Sequence, residues 1–219
     1  MFQIIRESKY EHIEKFVLYG ERHCGTKFLQ QSLECFNIRP TQYFGHKHWF
    51  GFADLNKIQF EMHTMFICIV RNPYSWISAF FDMPHQVIHK NRQPLESFML
   101  SEWQSINMDK SEILQDRNMN NPSKKYANIF EMRSTKINYM INVLPNYARN
   151  FIFLKYEDLT NNYVNVMKLI QNKFNLTQHG NFPISHPVAN RRLETRHKQI
   201  IDSNLNWSIE NAIGYNNIY

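Results

Sequence analysis

The chain is predicted to be an α/β protein, a three-layer α/β/α arrangement around a central parallel sheet, in a single domain over residues 1–219. Three observations predict this. Short apolar runs recur at "FVLYG" (16–20), "MFICIV" (65–70) and "NFIFLKY" (150–156). The second of them is apolar throughout, as a parallel strand covered on both faces must be. Each run gives way to a stretch with helical spacing, and strands that alternate with helices pair in parallel. No internal repeat or low-complexity linker divides the 219 residues, a length that suits one such domain.

The first run ends in "GERHCGTKF" (20–28). Gly20, four residues and Gly25 begin like a phosphate-binding loop, which in a nucleoside triphosphatase continues with Lys and then Ser or Thr. Here Thr26 precedes Lys27, so the order that grips a γ-phosphate and magnesium is reversed. Downstream, "TKFLQQSLECF" (26–36) sets Phe28, Leu29, Leu33 and Phe36 at helical spacing. Strand, glycine loop and helix together form the context that phosphate binding requires.

The second run leads into "RNPYSWISAFF" (71–81), where Asn72-Pro73 marks a turn with proline at a helix start. The third leads into Glu157-Asp158 and a helix expected over 162–174. Ligands of open α/β sheets bind at the carboxyl ends of strands. Arg22, Arg71 and Glu157 all fall at or just past those ends.

The stretch 82–149 reads as mostly helix and loop. Ser111-Glu112 is expected to open a helix, and "NMNNPSKK" (118–125) to be a loop. "ANIFEMRSTKINYMINVL" (127–144) reads as an amphipathic helix with Ile129, Met132, Ile137, Met140 and Ile141 on one face. Arg133 and Lys136, three apart, project together. They form either a solvated basic face or the lining of an anion site.

The net charge of +6 favours anionic partners. There is no Lys/Arg run and no nucleic-acid motif, so nucleic acid is not an expected partner. No apolar run reaches the ~18 residues of a membrane span, and the charged N-terminus lacks the apolar core of a signal peptide. A cytoplasmic protein without membrane contact is the expectation. Cys24, Cys35 and Cys68 form no C-x-x-C pair, which leaves free thiols and no zinc or redox site. Cys24 reads as a small residue filling a tight turn rather than a nucleophile.

"YGERHCGTKFL" and "FICIVRNPYSWISAFF", in this order on these strands, resemble the sulfotransferase family that uses 3′-phosphoadenosine 5′-phosphosulfate (PAPS). "FIFLKYEDL" (151–159), "LNWSIENAIGY" (205–215) and "GHKHWF" (45–50) are similar to further family elements. The likeness spans about residues 16–80 and 127–215. It implies the sulfotransferase variant of the P-loop fold, PAPS as donor with PAP as product, and no metal. It also implies transfer to a hydroxyl or amine of a small-molecule or carbohydrate acceptor.

The resemblance assigns Arg22, His23, Cys24, Gly25, Thr26, Lys27 and Phe28 to the loop around the 5′-phosphosulfate. Gly25 would let the backbone approach, with Thr26 donating its hydroxyl and Lys27 its charge. Arg71 would clamp the 3′-phosphate. The family places Ser eight residues after this Arg; here Ala79 stands there and Ser78 comes one earlier, so Ser78 is the candidate. The family's cation just before its S-G-T core is replaced by His23, with Arg22 ahead of it. Arg22 is therefore assigned to the leaving group, with His23 and Lys27 as alternatives. His48, at the expected end of a second strand, is the candidate base, and Lys47 would steer the sulfate.

In "NRRLETRHK" (190–198), Arg191, Arg192, Arg196 and Lys198 are candidates for the 3′-phosphate or members of a solvated helix face. Glu157 and Asp158 read as structural partners of a loop Arg. Segment 82–126, with Phe80, Phe81 and Trp103, is expected to shape the acceptor pocket. Two other readings stand beside this one. A P-loop kinase is disfavoured by the swapped Thr26-Lys27 pair. A non-catalytic nucleotide binder is kept open by His23 and Ala79.

Overall fold

The structure is a computed structural model that describes residues 4–7, 12–107, 112–114, 116–184 and 192–218. In chain order the elements begin β1 (Ile4–Arg6), β2 (Lys15–Tyr19), α1 (Thr26–Glu34), β3 (Arg39–Pro40), α2 (Leu55–Phe60), β4 (Thr64–Val70), α3 (Pro73–Asp82) and α4 (Leu95–Leu100). They continue β5 (Ser105–Asn107), β6 (Glu112–Leu114), β7 (Arg117–Asn118), β8 (Asn121–Lys125) and α5 (Ile129–Asn138). The last are β9 (Asn150–Lys155), α6 (Tyr156–Asn161), α7 (Tyr163–Lys173), α8 (Thr195–Asn204) and α9 (Trp207–Ala212). The chain forms two compact units, Met1–Asn72 with Tyr139–Val188, and Pro73–Asn138 with Ala189–Tyr219.

The first unit is α/β. Its five-stranded sheet runs β1-β9-β4-β2-β3, with β9, β4, β2 and β3 parallel and β1 antiparallel on one edge. The three apolar runs become β2, β4 and β9, side by side in register: Val17 is level with Phe66, and Phe66 with Phe151. All seven residues of β4 are buried, as its unbroken apolar sequence requires. Each large side chain so buried contributes about 1.5–3 kcal/mol. β3 ends at Pro40 on the other edge, where a missing N–H costs no ladder bond. The helix expected over 162–174 is α7, Tyr163–Lys173, and the shorter α6 precedes it directly after β9.

The second unit gathers α3, which starts at Pro73 as predicted, with α4, α5, α8 and α9. Phe80, Phe98 and Trp103 are fully buried and meet at ring-centroid distances of 5.3 to 5.6 Å. Phe80 and Trp103 are thus core side chains rather than the acceptor-facing aromatics expected of them.

Four local expectations are corrected here. Glu112 lies in β6, paired antiparallel with β5, and does not open a helix; Ser111 lies outside the described residues. Residues 118–125 form part of the β7–β8 hairpin rather than a loop. "NPSKK" is exposed throughout and has no apolar alternation, so its strand is set by backbone pairing that leaves no mark in the sequence. The helix expected over 127–144 ends at Asn138, a π-turn covers Tyr139–Val143, and a 3₁₀ turn begins at Leu144. Pro145 cannot donate to a continuing helix.

Finally, Arg133 and Lys136 are buried ion-pair partners, neither a solvated face nor an anion site. Arg133 meets Glu210 of α9 through Nε at 2.5 Å and Nη2 at 2.8 Å, and its guanidinium lies 4.9 Å from the Trp76 ring. Lys136 Nζ lies 3.2 Å from Asp116, whose other oxygen accepts from Trp103 and Ser105.

Candidate functional site

The site is built where β2 ends. At Gly20 an added Cβ would stand 2.6 Å from the Ile69 carbonyl oxygen, so only glycine lets the chain leave β2 this close to β4. The loop turns through left-handed His23 (φ 63°) and Gly25 (φ 82°). At Gly25 a Cβ would also meet the Tyr156 ring at 2.8 Å. Helix α1 begins at the next residue, with no acidic side chain in its first turn and no side-chain cap. Its first N–H groups and the positive end of its dipole therefore face the loop with no carboxylate in the helix's own first turn. Backbone N–H groups gathered by left-handed turns form anion-binding concavities.

The loop is braced from the neighbouring strand ends. Arg71, 4% exposed, donates from Nη1 to the His23 carbonyl at 2.9 Å and lies 4.4 Å from the centre of the Tyr156 ring. The Asn72 N–H donates to Glu157 Oε1 at 2.8 Å. Glu157 thus ties the end of β4 to the end of β9 through the Asn72 backbone amide. The exits of β2, β4 and β9 are thereby tied together around the glycine loop.

Arg22 is 2% exposed, bonded to Glu21 Oε2 at 3.0 Å and set 5.1 Å from the Trp49 ring. Its guanidinium is thus held inside the unit between Glu21 and Trp49. Of its two alternatives, His23 is half-buried and Lys27 is exposed. Thr26 and Cys24 are buried, Cys24 as a free thiol, and Phe28 packs 4.9 Å from Tyr163.

His48 does not end a strand. β3 stops at Pro40, and His48 sits in a loop pinned by an isolated bridge between His46 and Trp49. That loop is stitched to the glycine loop. The Gly20 N–H donates to the Lys47 carbonyl at 3.0 Å, and His48 Nδ1 lies 2.6 Å from the Gly20 carbonyl. A carbonyl only accepts, so Nδ1 carries the hydrogen and Nε2 keeps a lone pair. Burial first, then the Arg22 charge, pushes the imidazole well below its ordinary 6.5, with the Gly20 bond opposing. Half-buried Lys47 is also pushed down, by burial and then by the charge of Lys27. Lys27 thus lies near enough to Lys47, and Arg22 and Lys47 near enough to the neutral His48, for their charges to be felt there.

The remaining candidates belong to the second unit. Ser78 is buried on α3. Arg192 is exposed, Arg196 pairs with Glu194 at 2.9 Å, and Lys198 is half-buried. Arg191 lies outside the described residues. Sequence reasoning missed three contributors: Glu21, Trp49 and Tyr156. Tyr156 carried a signal, directly after a buried run. The contacts of Glu21 and Trp49 with Arg22 have no spacing signature.

The first unit is therefore an α/β scaffold that presents a glycine loop and a cluster of basic groups at the carboxyl edge of a mostly parallel sheet. No protein-family model matches the chain, and no curated protein matches it. Among the described residues no group of three or more His, Cys, Asp or Glu could hold a metal ion, and no helix is long and apolar enough to cross a membrane.

Proposed function

We propose that the chain is a PAPS-dependent sulfotransferase of P-loop-like, three-layer architecture. It would act in the cytoplasm on a hydroxyl or amine of a small-molecule or carbohydrate acceptor. One observation carries the reading: the left-handed glycine loop opens onto the uncapped start of α1, with Lys27, Lys47 and a neutral His48 gathered beside it. The fit to an anionic group rests on charge. Glu21, the acidic residue of the loop, is already bonded to Arg22, and Lys27 and Lys47 repel one another until an anion lies between them. The free thiols of Cys24, Cys35 and Cys68 suit a reducing compartment.

PAPS, when bound, supplies a sulfuryl group already activated by its anhydride link to phosphate. The loop N–H groups and the Thr26 hydroxyl would hold the phosphosulfate. Lys27, the exposed cation, and Lys47 would meet the negative charge that grows on the leaving oxygen. Nε2 of His48 would take the acceptor's proton, its tautomer set by the Gly20 carbonyl. Arg71 holds the His23 carbonyl, so it positions the loop in addition to any phosphate contact.

Thermal unfolding with PAP or with ATP–magnesium tests this. At about 100 times its dissociation constant a ligand adds ~2.7 kcal/mol, or roughly 5–10 °C for a chain of this size. The expected result is a shift with PAP, lost in Lys27→Ala with Lys47→Ala, and no shift with ATP–magnesium. A shift with ATP–magnesium and none with PAP would mean that the loop serves a kinase.

A further inference from the structure

The second unit holds a cavity of about 340 Å³, inside the ~300–1,000 Å³ range of ligand pockets. Phe81, Leu95 and Leu193 contribute an apolar lining. His197 also lines it, 7% exposed, with Nε2 3.1 Å from Glu96 Oε1. A carboxylate accepts, so Nε2 carries a hydrogen, and in the neutral imidazole Nδ1 then holds a lone pair. Among the described residues Nδ1 has no hydrogen-bond partner. Arg196 is balanced by two carboxylates, Glu194 at 2.9 Å and Glu96 at 3.6 Å. Arg192 lines the same cavity, is exposed, and has no carboxylate within ion-pair distance among the described residues.

The cavity therefore offers three different things: a guanidinium that no described carboxylate balances, an oriented acceptor on a buried neutral imidazole, and apolar surface. A plain inorganic anion satisfies the first and is repelled by the lone pair of the second. A neutral sugar satisfies the second and leaves the guanidinium unused. We propose that this cavity binds a small hydroxylated carboxylate, of the sugar-acid class. The carboxylate forks onto Arg192, a hydroxyl donates to Nδ1 of His197, and the C–H face of the ring lies on Phe81 and Leu193. The proposal does not rest on the reading of the glycine loop.

Calorimetric titration of the full chain tests it, with D-galacturonate and D-glucuronate as probes and D-galactose and acetate as controls. At least one sugar acid is expected to bind saturably and at least tenfold tighter than either control. The Nδ1 resonance of His197 should move on titration. Arg192→Gln, at an exposed position, should weaken binding at least tenfold without lowering Tm. The proposal is overturned if neither sugar acid binds, if acetate binds as tightly, or if Arg192→Gln leaves affinity unchanged. Displacement of the bound sugar acid by PAP would assign the cavity to the nucleotide and would equally overturn it.

Discussion

His48 is held between two demands. The Gly20 carbonyl fixes its Nδ1–H at 2.6 Å, while burial and the Arg22 charge resist a second proton. In the unfolded chain the same imidazole titrates near its ordinary 6.5. Below that pH the unfolded state binds a proton that the folded state refuses. Stability from this group is thus complete above about 6.5 and is lost as pH falls toward the depressed native value. Urea unfolding from neutrality into mild acid should show this loss, and His48→Gln should flatten that part of the curve. If the variant keeps the full acid slope, the neutral, buried imidazole is refuted. None of this is visible in "GHKHWF", because the acceptor that sets the tautomer stands 28 residues earlier in the chain.

At the scale of elements, β2, β4 and β9 were legible within a residue or two, because a strand covered on both faces has to be apolar at every position. Helix α5 was legible from its period, but the placement of its basic pair was not. Arg133 and Lys136 point inward because Glu210 and Asp116 meet them there, 77 and 20 residues away along the chain. Removing one member of such a buried pair strands the other. Arg133→Met should therefore cost about 3–5 kcal/mol in urea unfolding, and Arg133→Met combined with Glu210→Leu should recover most of it. Equal losses in the single and double variants would mean that the guanidinium acts by packing on Trp76 instead of by charge. The β7–β8 hairpin was missed for the opposite reason: its exposed residues bury nothing, so no hydrophobic pattern marks them.

Over the whole molecule, the net charge of +6 adds a long-range attraction for anions to the local one proposed at the glycine loop. Raising salt from low to physiological strength shortens the Debye length from ~30 Å to about 8 Å. PAP affinity should fall several-fold across that range, and an affinity indifferent to salt would rule out a charge-driven site. Local periodicity was enough to establish the alternation of strands and helices, the glycine loop after β2 and the turn at Asn72-Pro73, since each depends on neighbours within a few residues. The two compact units, the burial of Arg22, Arg133 and Lys136, the bracing of His23 by Arg71 and the tautomer of His48 came from the tertiary structure alone. A charge or a ring nitrogen takes its state from whatever lies within a few ångströms, and in this chain those neighbours come together only when distant segments fold onto one another.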